Sequence, residues 1–92
     1  MKIVEHHLVQ LAAVIETGGV TEAAAMLGMT QSAVSRTISI LEKRVGEPLF
    51  VSGRRPMQPT PLGEQLGLQG KAILASSRKA MEIIRSFKSR SS

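Results

Sequence analysis

Glycines divide the first half of the chain at short intervals, and this spacing constrains the fold more than any other feature. Gly18-Gly19, Gly28 and Gly46 each follow a stretch in which apolar residues recur at helical spacing. Glycine adopts at little cost the left-handed backbone conformation that ends a helix. The pattern therefore predicts three short helices joined by tight turns. The predicted helices cover residues 4–17, 22–27 and 31–45.

The residues at the predicted helix starts agree with this division. Thr21 and Thr30 precede their helices and can accept a backbone N–H as N-caps. Glu22 then falls in a first turn, where the helix dipole favours a negative charge. Two short helices joined by a glycine-containing turn form a helix-turn-helix. Its predicted core comprises Ala23, Ala24, Leu27, Val34, Ile38 and Leu41.

The segment after the third helix predicts a small hairpin and then a fourth helix. Leu49-Phe50-Val51 is apolar and favours extended structure, the residues from Gly53 to Pro56 favour a turn, and Met57-Gln58 can return as a poor second strand. We therefore expect a two-stranded β-hairpin. Thr60-Pro61 combines an N-cap with a proline at the first helical position, which predicts a helix from Pro61 to Ser89 and a frayed end over residues 89–92.

The fourth predicted helix combines three glycines with an apolar stripe. Gly63, Gly67 and Gly70 each cost about 1 kcal/mol relative to alanine, which predicts a weak first half. So small a domain cannot cover the whole stripe, so we expect it to pair with a second copy of the chain. Docking on its own domain and lying on a membrane surface are the alternatives. The stripe comprises Leu62, Leu66, Ile73, Ala80, Ile84 and Phe87.

Charge is distributed unevenly along the chain. The 92 residues carry 12 lysines and arginines against 7 acidic side chains, all of them glutamate, for a net charge of +5. The excess lies entirely in residues 47–92. It indicates an anionic partner, either a nucleic acid or a membrane surface, or else a basic surface that only aids solubility. With Phe50 and Phe87 as the only aromatic residues, stacking of single-stranded bases is disfavoured relative to binding of a duplex.

Other function classes find little support in the sequence. No apolar run reaches the roughly 18–20 residues of a membrane span, and there is no signal-peptide core, so we expect a cytoplasmic protein without a membrane partner. The chain has no cysteine and thus no disulfide or thiolate site. His6 and His7 would point about 100° apart on a helix, which does not suit a shared metal. We expect no enzyme activity, no metal and no cofactor.

The exposed face of the third predicted helix has the chemistry of duplex DNA recognition. An α-helix fits the major groove, where residues near its N-terminus reach base edges. Glutamine can pair with adenine, arginine with guanine, and serine or threonine with bases or phosphates. Free N–H groups at the helix starts near Thr21 and Gln31 suit phosphate. A generic helical hairpin with a solvated polar face is the alternative.

A longer pattern is far more specific than a helix-turn-helix alone. It comprises Leu8, Leu11, Val14-Ile15-Glu16-Thr17-Gly18-Gly19-Val20-Thr21-Glu22-Ala23-Ala24, Leu27, Thr30-Gln31-Ser32-Ala33-Val34-Ser35-Arg36, Ile38, Leu41-Glu42, Val45-Gly46 and Leu49-Phe50. With Arg55, Thr60 and Gly63, this pattern resembles the N-terminal DNA-binding domain of LysR-type transcriptional regulators. The resemblance implies a mainly α winged helix-turn-helix over residues 1–60, with three helices and a short two-stranded β-wing. It also implies a long linker and dimerisation helix over residues 61–92.

The resemblance also implies roles for individual residues. A homodimer would bind double-stranded DNA at a palindromic operator, and Arg54 and Arg55 at the wing tip would approach the minor groove or the backbone. The base-reading candidates are Gln31, Ser32, Ser35 and Arg36. The phosphate-binding candidates are Thr21, Thr30, Thr37 and Lys43.

The chain departs from the family pattern at several positions. The family usually has Phe at Leu11, Ser at Thr30 and Pro at Ser32. In the wing, Ser52 replaces a usual arginine, and Pro59 replaces a usual leucine and cannot donate to a strand ladder. The family also carries a C-terminal effector-binding domain, and this chain ends before it. Because an inducer would bind there, we expect no small-molecule ligand in these residues.

A second function class stays open at this point. The chain could be a small helical protein-interaction module that dimerises and docks an acidic partner through its basic tail. A DNA-binding protein should prefer some duplex sequences and should lose affinity steeply with salt. An interaction module would show no sequence preference.

Overall fold

The computed structural model describes residues 4–91. Its helices are α1 (Glu5–Thr17), α2 (Val20–Leu27), α3 (Gln31–Val45) and α4 (Pro61–Ser91). The mainly α architecture and the helix order are as predicted. α4 continues two residues beyond its predicted end, and Ser92, part of the segment expected to fray, lies outside the described residues, as do residues 1–3. Across residues 4–91, no helix has the length and apolar character needed to cross a bilayer.

The start of α2 differs from the prediction. α2 begins at Val20, and its N-cap residue is Gly19 rather than Thr21. The carbonyl of Gly19 accepts the first helical hydrogen bond from the N–H of Ala23, at 3.0 Å. Thr21 therefore lies inside the helix and does not cap it. The prediction was wrong because the backbone of a glycine, which has no side chain to signal a cap, begins this helix.

The turn between α2 and α3 forms as predicted. Gly28 has a φ of 68°, in the left-handed region that favours glycine. The N–H of Met29 donates to the carbonyl of Ala24 at 2.9 Å, which closes the end of α2. Thr30 then caps α3, because its Oγ1 accepts from the N–H of Ala33 at 3.2 Å. These local hydrogen bonds fix the angle between the two helices of the helix-turn-helix.

The hydrophobic core lies among α1, α2 and α3 and is closed by the loop after α3. The predicted core residues are buried, except that Leu27 is half-buried and packs against the cluster. Leu49 and Phe50, which were predicted only as part of a strand, are also buried in this core. The buried cluster comprises Leu11, Ala13, Val14, Ala23, Ala24, Val34, Ile38, Leu41, Leu49 and Phe50.

Residues 49–59, which we call the wing, do not confirm the predicted two-stranded hairpin. Phe50 and Pro59 form an isolated antiparallel bridge, with backbone hydrogen bonds of 2.8 and 2.9 Å on its two sides. The two bonds run from Val51 to Gln58 and from Thr60 to Leu49. Neither needs an N–H from Pro59, so a proline is tolerated at this position. In this register Gly53 would face Pro56, which has no N–H to donate. Pro56 therefore cannot donate a ladder hydrogen bond at the tip of the wing, where one bridged pair takes the place of the predicted two strands.

α4 packs its first half closely against the rest of the chain. Gly63, Gly67 and Gly70 are buried and lie on one face of the helix at spacings of four and three residues. A Cβ added to Gly70 would overlap the carbonyl oxygen of Leu8, and one added to Gly63 would overlap that of Leu49. These glycines allow backbone to approach backbone. The weak first half predicted from helix propensity is therefore the half that holds α4 to the domain.

Candidate nucleic-acid interface

α3 separates a buried face from an exposed polar face, as predicted. Val34, Ile38 and Leu41 point into the core. The exposed residues of its first two turns are the four base-reading candidates, Gln31, Ser32, Ser35 and Arg36. A 15-residue helix is about 22 Å long, and its N-terminal end carries these side chains. This face is open to a large partner.

Thr37 does not lie on that exposed face. Only 7% of its surface is exposed, because it is placed between the core positions of α3. The other phosphate candidates, Thr21, Thr30 and Lys43, are exposed. Lys43 follows Arg36 by two helical turns and so lies on the same side of α3. The burial of Thr37 does not favour a contact with phosphate.

A cleft of about 930 Å³ lies between the helix-turn-helix and the wing. We call it the wing cleft. It brings together five predicted site residues from three elements, whereas Ser32, Arg36, Thr30 and Lys43 lie on the exposed surface outside it. Glu22 also lines the cleft. The five predicted residues in its lining are Thr21, Gln31, Ser35, Arg54 and Arg55.

The wing is attached to the turn between α1 and α2. The N–H of Met57 donates to the carbonyl of Gly18 at 2.8 Å. Gly18 has a φ of 85°, and a Cβ added to it would lie 2.8 Å from the Cβ of Pro56. Both the conformation and the space at this position therefore require glycine. This contact places the exposed Arg54 and Arg55 opposite the start of α3.

Glu42 is a positioning residue that the sequence analysis did not identify. Its Oε2 accepts a hydrogen bond from the N–H of the buried Leu49 at 2.8 Å. The carbonyl of Leu49 in turn accepts from the N–H of Thr60 at 2.9 Å, next to the start of α4. Glu42 therefore links the last turn of α3 to the base of the wing. A signal was available in the sequence, since a glutamate one turn before a helix-ending glycine can reach the loop that follows.

The residues of the predicted dimer stripe do not share one environment. Leu62 and Leu66 are half-buried against the core of their own chain, and Ile73 is also half-buried. Ala80, Ile84 and Phe87 are exposed, Phe87 to 72%. The stripe is therefore divided between contacts within the domain and an exposed apolar surface near the end of α4.

The histidines lie on α1 and do not line the wing cleft. Burial, reinforced by the positive charges of His6 and Arg44, lowers the pKa of His7 below the ordinary histidine value of 6.5. The rings of His6 and His7 meet edge to face, with centroids 4.6 Å apart. In the part of the chain that the structure describes, no group of three or more His, Cys, Asp or Glu side chains could hold a metal ion.

The chain resembles known regulators both in sequence and in fold. A family model described as the bacterial regulatory helix-turn-helix protein, lysR family, matches residues 6–64. The HTH-type transcriptional regulator ArgP of Pseudomonas aeruginosa is 52% identical over 59 residues, which are 64% of this chain and 19% of ArgP. MetR of Salmonella typhimurium is 40% identical over 76 residues, 83% of this chain and 24% of MetR. The chain thus spans about a fifth to a quarter of the length of these curated relatives.

The fold comparison extends along almost the whole chain. The crystal structure of the BenM_DBD/benA site 1 DNA complex superposes with a TM-score of 0.75 at 29% identity and covers 95% of this chain and 98% of that one. Since the family model also spans well over half of the chain, these residues belong to the lysR family of bacterial regulatory helix-turn-helix proteins.

Proposed function

We propose that this chain binds double-stranded DNA with sequence preference by inserting α3 into the major groove. The observation that carries the proposal is the exposed polar face at the start of α3, set directly against a buried apolar face. Gln31, Ser32, Ser35 and Arg36 would contact base edges, with Gln31 and Arg36 as the principal readers. The similarity to BenM_DBD, whose crystal structure is that of a complex with DNA, supports the binding of duplex DNA by this chain.

The remaining polar residues would bind the DNA backbone on either side of α3. Thr21 and Thr30 stand at the starts of α2 and α3, where backbone N–H groups also attract phosphate. Lys43 would contact phosphate two turns beyond Arg36. Arg54 and Arg55 would reach the neighbouring minor groove or backbone from the wing. We leave Thr37 out of this interface because it is buried.

We further propose that two copies pair through α4. The exposed apolar side chains near the end of α4 support this, because pairing with a second copy would remove them from water. Residues 1–60 would then be the DNA-binding domain and residues 61–92 the linker and dimerisation helix. Two-fold symmetry implies a palindromic operator. The exposed residues include Met81, Ile83, Ile84 and Phe87.

The biological role that follows is regulation of transcription in the bacterial cytoplasm, without catalysis. The relatives ArgP and MetR, named as transcriptional regulators, support this role. The proposal concerns the DNA-binding part of such a regulator, since the chain spans only about a fifth of the length of ArgP.

Selection of bound sequences from a random duplex pool tests the proposal directly. We expect one enriched motif with two inverted half-sites and an affinity that falls steeply with salt. Recovery of an unenriched pool would instead favour the protein-interaction module. The selected motif then serves as the cognate site for binding measurements.

Substitutions of Arg36 and Lys43 should affect the affinity for that cognate site in different ways. Arg36→Ala should cost about 1–3 kcal/mol and relax the preference at one base pair, because arginine reads guanine through two hydrogen bonds. Lys43→Ala should weaken binding to all sequences nearly equally, because a phosphate contact carries no sequence information. Titration of each variant against a library of single-base changes measures both effects. An Arg36→Ala protein with an unchanged profile would remove Arg36 from the set of base readers.

A further inference from the structure

Glu22 turns back over the start of its own helix. A Cβ added to Gly19 would lie 3.0 Å from Cδ and 3.2 Å from Oε2 of Glu22, and nearer still to Oε1. Gly19 has a φ of −163°, an extended conformation that any residue adopts. What Gly19 provides is therefore space, and the carboxylate of Glu22 occupies that space.

This carboxylate lies on the face where DNA is proposed to bind. Glu22 lines the wing cleft together with Gln31, Ser35, Arg54 and Arg55. The first N–H groups of α2 have no helical partner, and Gly19 has no side chain to cap them. A negative charge beside them satisfies the positive end of the helix. The same charge repels a DNA phosphate that approaches this end of the cleft.

We propose that Glu22 is a negative determinant of DNA affinity, which keeps the DNA backbone from binding tightly at the start of α2. The inference rests on the proposed function of the cleft and deepens it. Binding would then depend more on the base-reading face of α3 and on the wing. The phosphate contact proposed for Thr21 would then be weak, because the charge of Glu22 opposes the attraction of the free N–H groups beside it.

The test compares the affinity of Glu22→Gln with that of the wild type for a random-sequence duplex. Glutamine has nearly the same shape but no charge, so the substitution should raise the affinity roughly two- to fivefold at low salt. The slope of log affinity against log salt should steepen by about one, the change expected for one additional phosphate contact. Glu16→Gln is the matched control, because Glu16 is exposed in the groove between α1 and α4 and does not line the wing cleft. It should leave the affinity near that of the wild type.

The sign of the change decides the inference. A gain in affinity cannot arise from impaired folding, since loss of the favourable helix-end charge should slightly lower the thermal midpoint of Glu22→Gln. If the wild type binds duplex DNA and Glu22→Gln binds no more tightly, the proposed role of Glu22 is wrong. The proposed DNA-binding function would stand in that case. A wild type that binds no duplex at all would instead overturn the proposed function.

Gly19→Ala tests the geometry independently of DNA. The added methyl group must displace the carboxylate, so the thermal midpoint should fall further in the wild-type background than in a Glu22→Ala background. A small loss is expected in both, because glycine is a better N-cap than alanine. Equal losses in the two backgrounds would show that the carboxylate does not fill the space beside Gly19.

Discussion

The first half of α4 contains three glycines and is packed against its own chain, whereas the second half contains none and is exposed. Gly63, Gly67 and Gly70 are buried. In the second half, Ile83 is 59% exposed and Phe87 72%. Helix propensity would assign the greater stability to the second half. The comparison shows that the close approach of α4 to neighbouring backbone, and not helix propensity, explains why the glycines lie in the first half.

The two halves would also contribute differently to the proposed function. The first half fixes the direction in which α4 leaves the domain, because two of its glycines lie against backbone carbonyl groups. The second half offers the apolar side chains proposed to pair with a second copy. Together they would set the distance between the two α3 helices of a dimer. That distance determines the half-site spacing that the dimer can bind.

Gly70→Ala, in the packed first half of α4, should produce the largest effect on stability. We expect the free energy of unfolding to fall by about 3 kcal/mol, because the new Cβ would overlap the backbone carbonyl of Leu8, which cannot rotate away. Helix propensity alone predicts the opposite sign, a gain of about 1 kcal/mol. Urea denaturation followed by circular dichroism at fixed protein concentration measures the change. Ser77→Ala, at an exposed position in the second half, is the control and should change stability by no more than about 0.5 kcal/mol.

Ile84→Glu should affect association while leaving the fold intact. Ile84 is 47% exposed, so covering that exposed part contributes about 1 kcal/mol in each protomer. The two copies together contribute about 2 kcal/mol, so the dimer dissociation constant should rise about 30-fold. Sedimentation equilibrium measures it, and binding to duplexes with one or two half-sites should show a loss only for the two-site duplex. Ser86→Glu adds the same charge two residues along α4 and controls for electrostatic repulsion. A wild type that stays monomeric at micromolar concentration would refute pairing through α4.

Local signals in the sequence were sufficient for most of the helix-turn-helix. Thr30, Gly28 and Gly46 mark boundaries through hydrogen bonds that span only a few residues, and the structure confirms all three. The polar face of α3 was also predictable, since helical periodicity fixes which side chains share a side. Thr37 could have been excluded by the same rule. It lies three residues after Val34 and four before Leu41, both fully buried.

The features that sequence analysis missed depend on contacts between distant residues. The wing forms one bridge instead of two strands, and Met57 bonds to Gly18, 39 residues earlier in the chain. Whether a glycine weakens a helix or allows a close contact depends on the neighbouring element, as Gly70 and Leu8 show. Glu22 was correctly placed in a first turn, but its position in the wing cleft depends on where the wing folds.

Acid should weaken the packed body of the domain slightly and leave the exposed half of α4 unaffected. Burial, with His6 and Arg44 nearby, lowers the pKa of His7 in the folded chain, whereas the unfolded chain titrates near 6.5. As the pH falls below 6.5, the unfolded state therefore binds more protons, and the free energy of unfolding decreases until the folded-state pKa is passed.

The decrease should be smaller than the effects of Gly70→Ala and Ile84→Glu, and His7→Gln should reduce it. His6→Gln should retain most of it, because burial is the largest cause of the shift. Denaturation curves between pH 5 and 8 measure the slope, and an identical slope for wild type and His7→Gln would show that His7 is not its source.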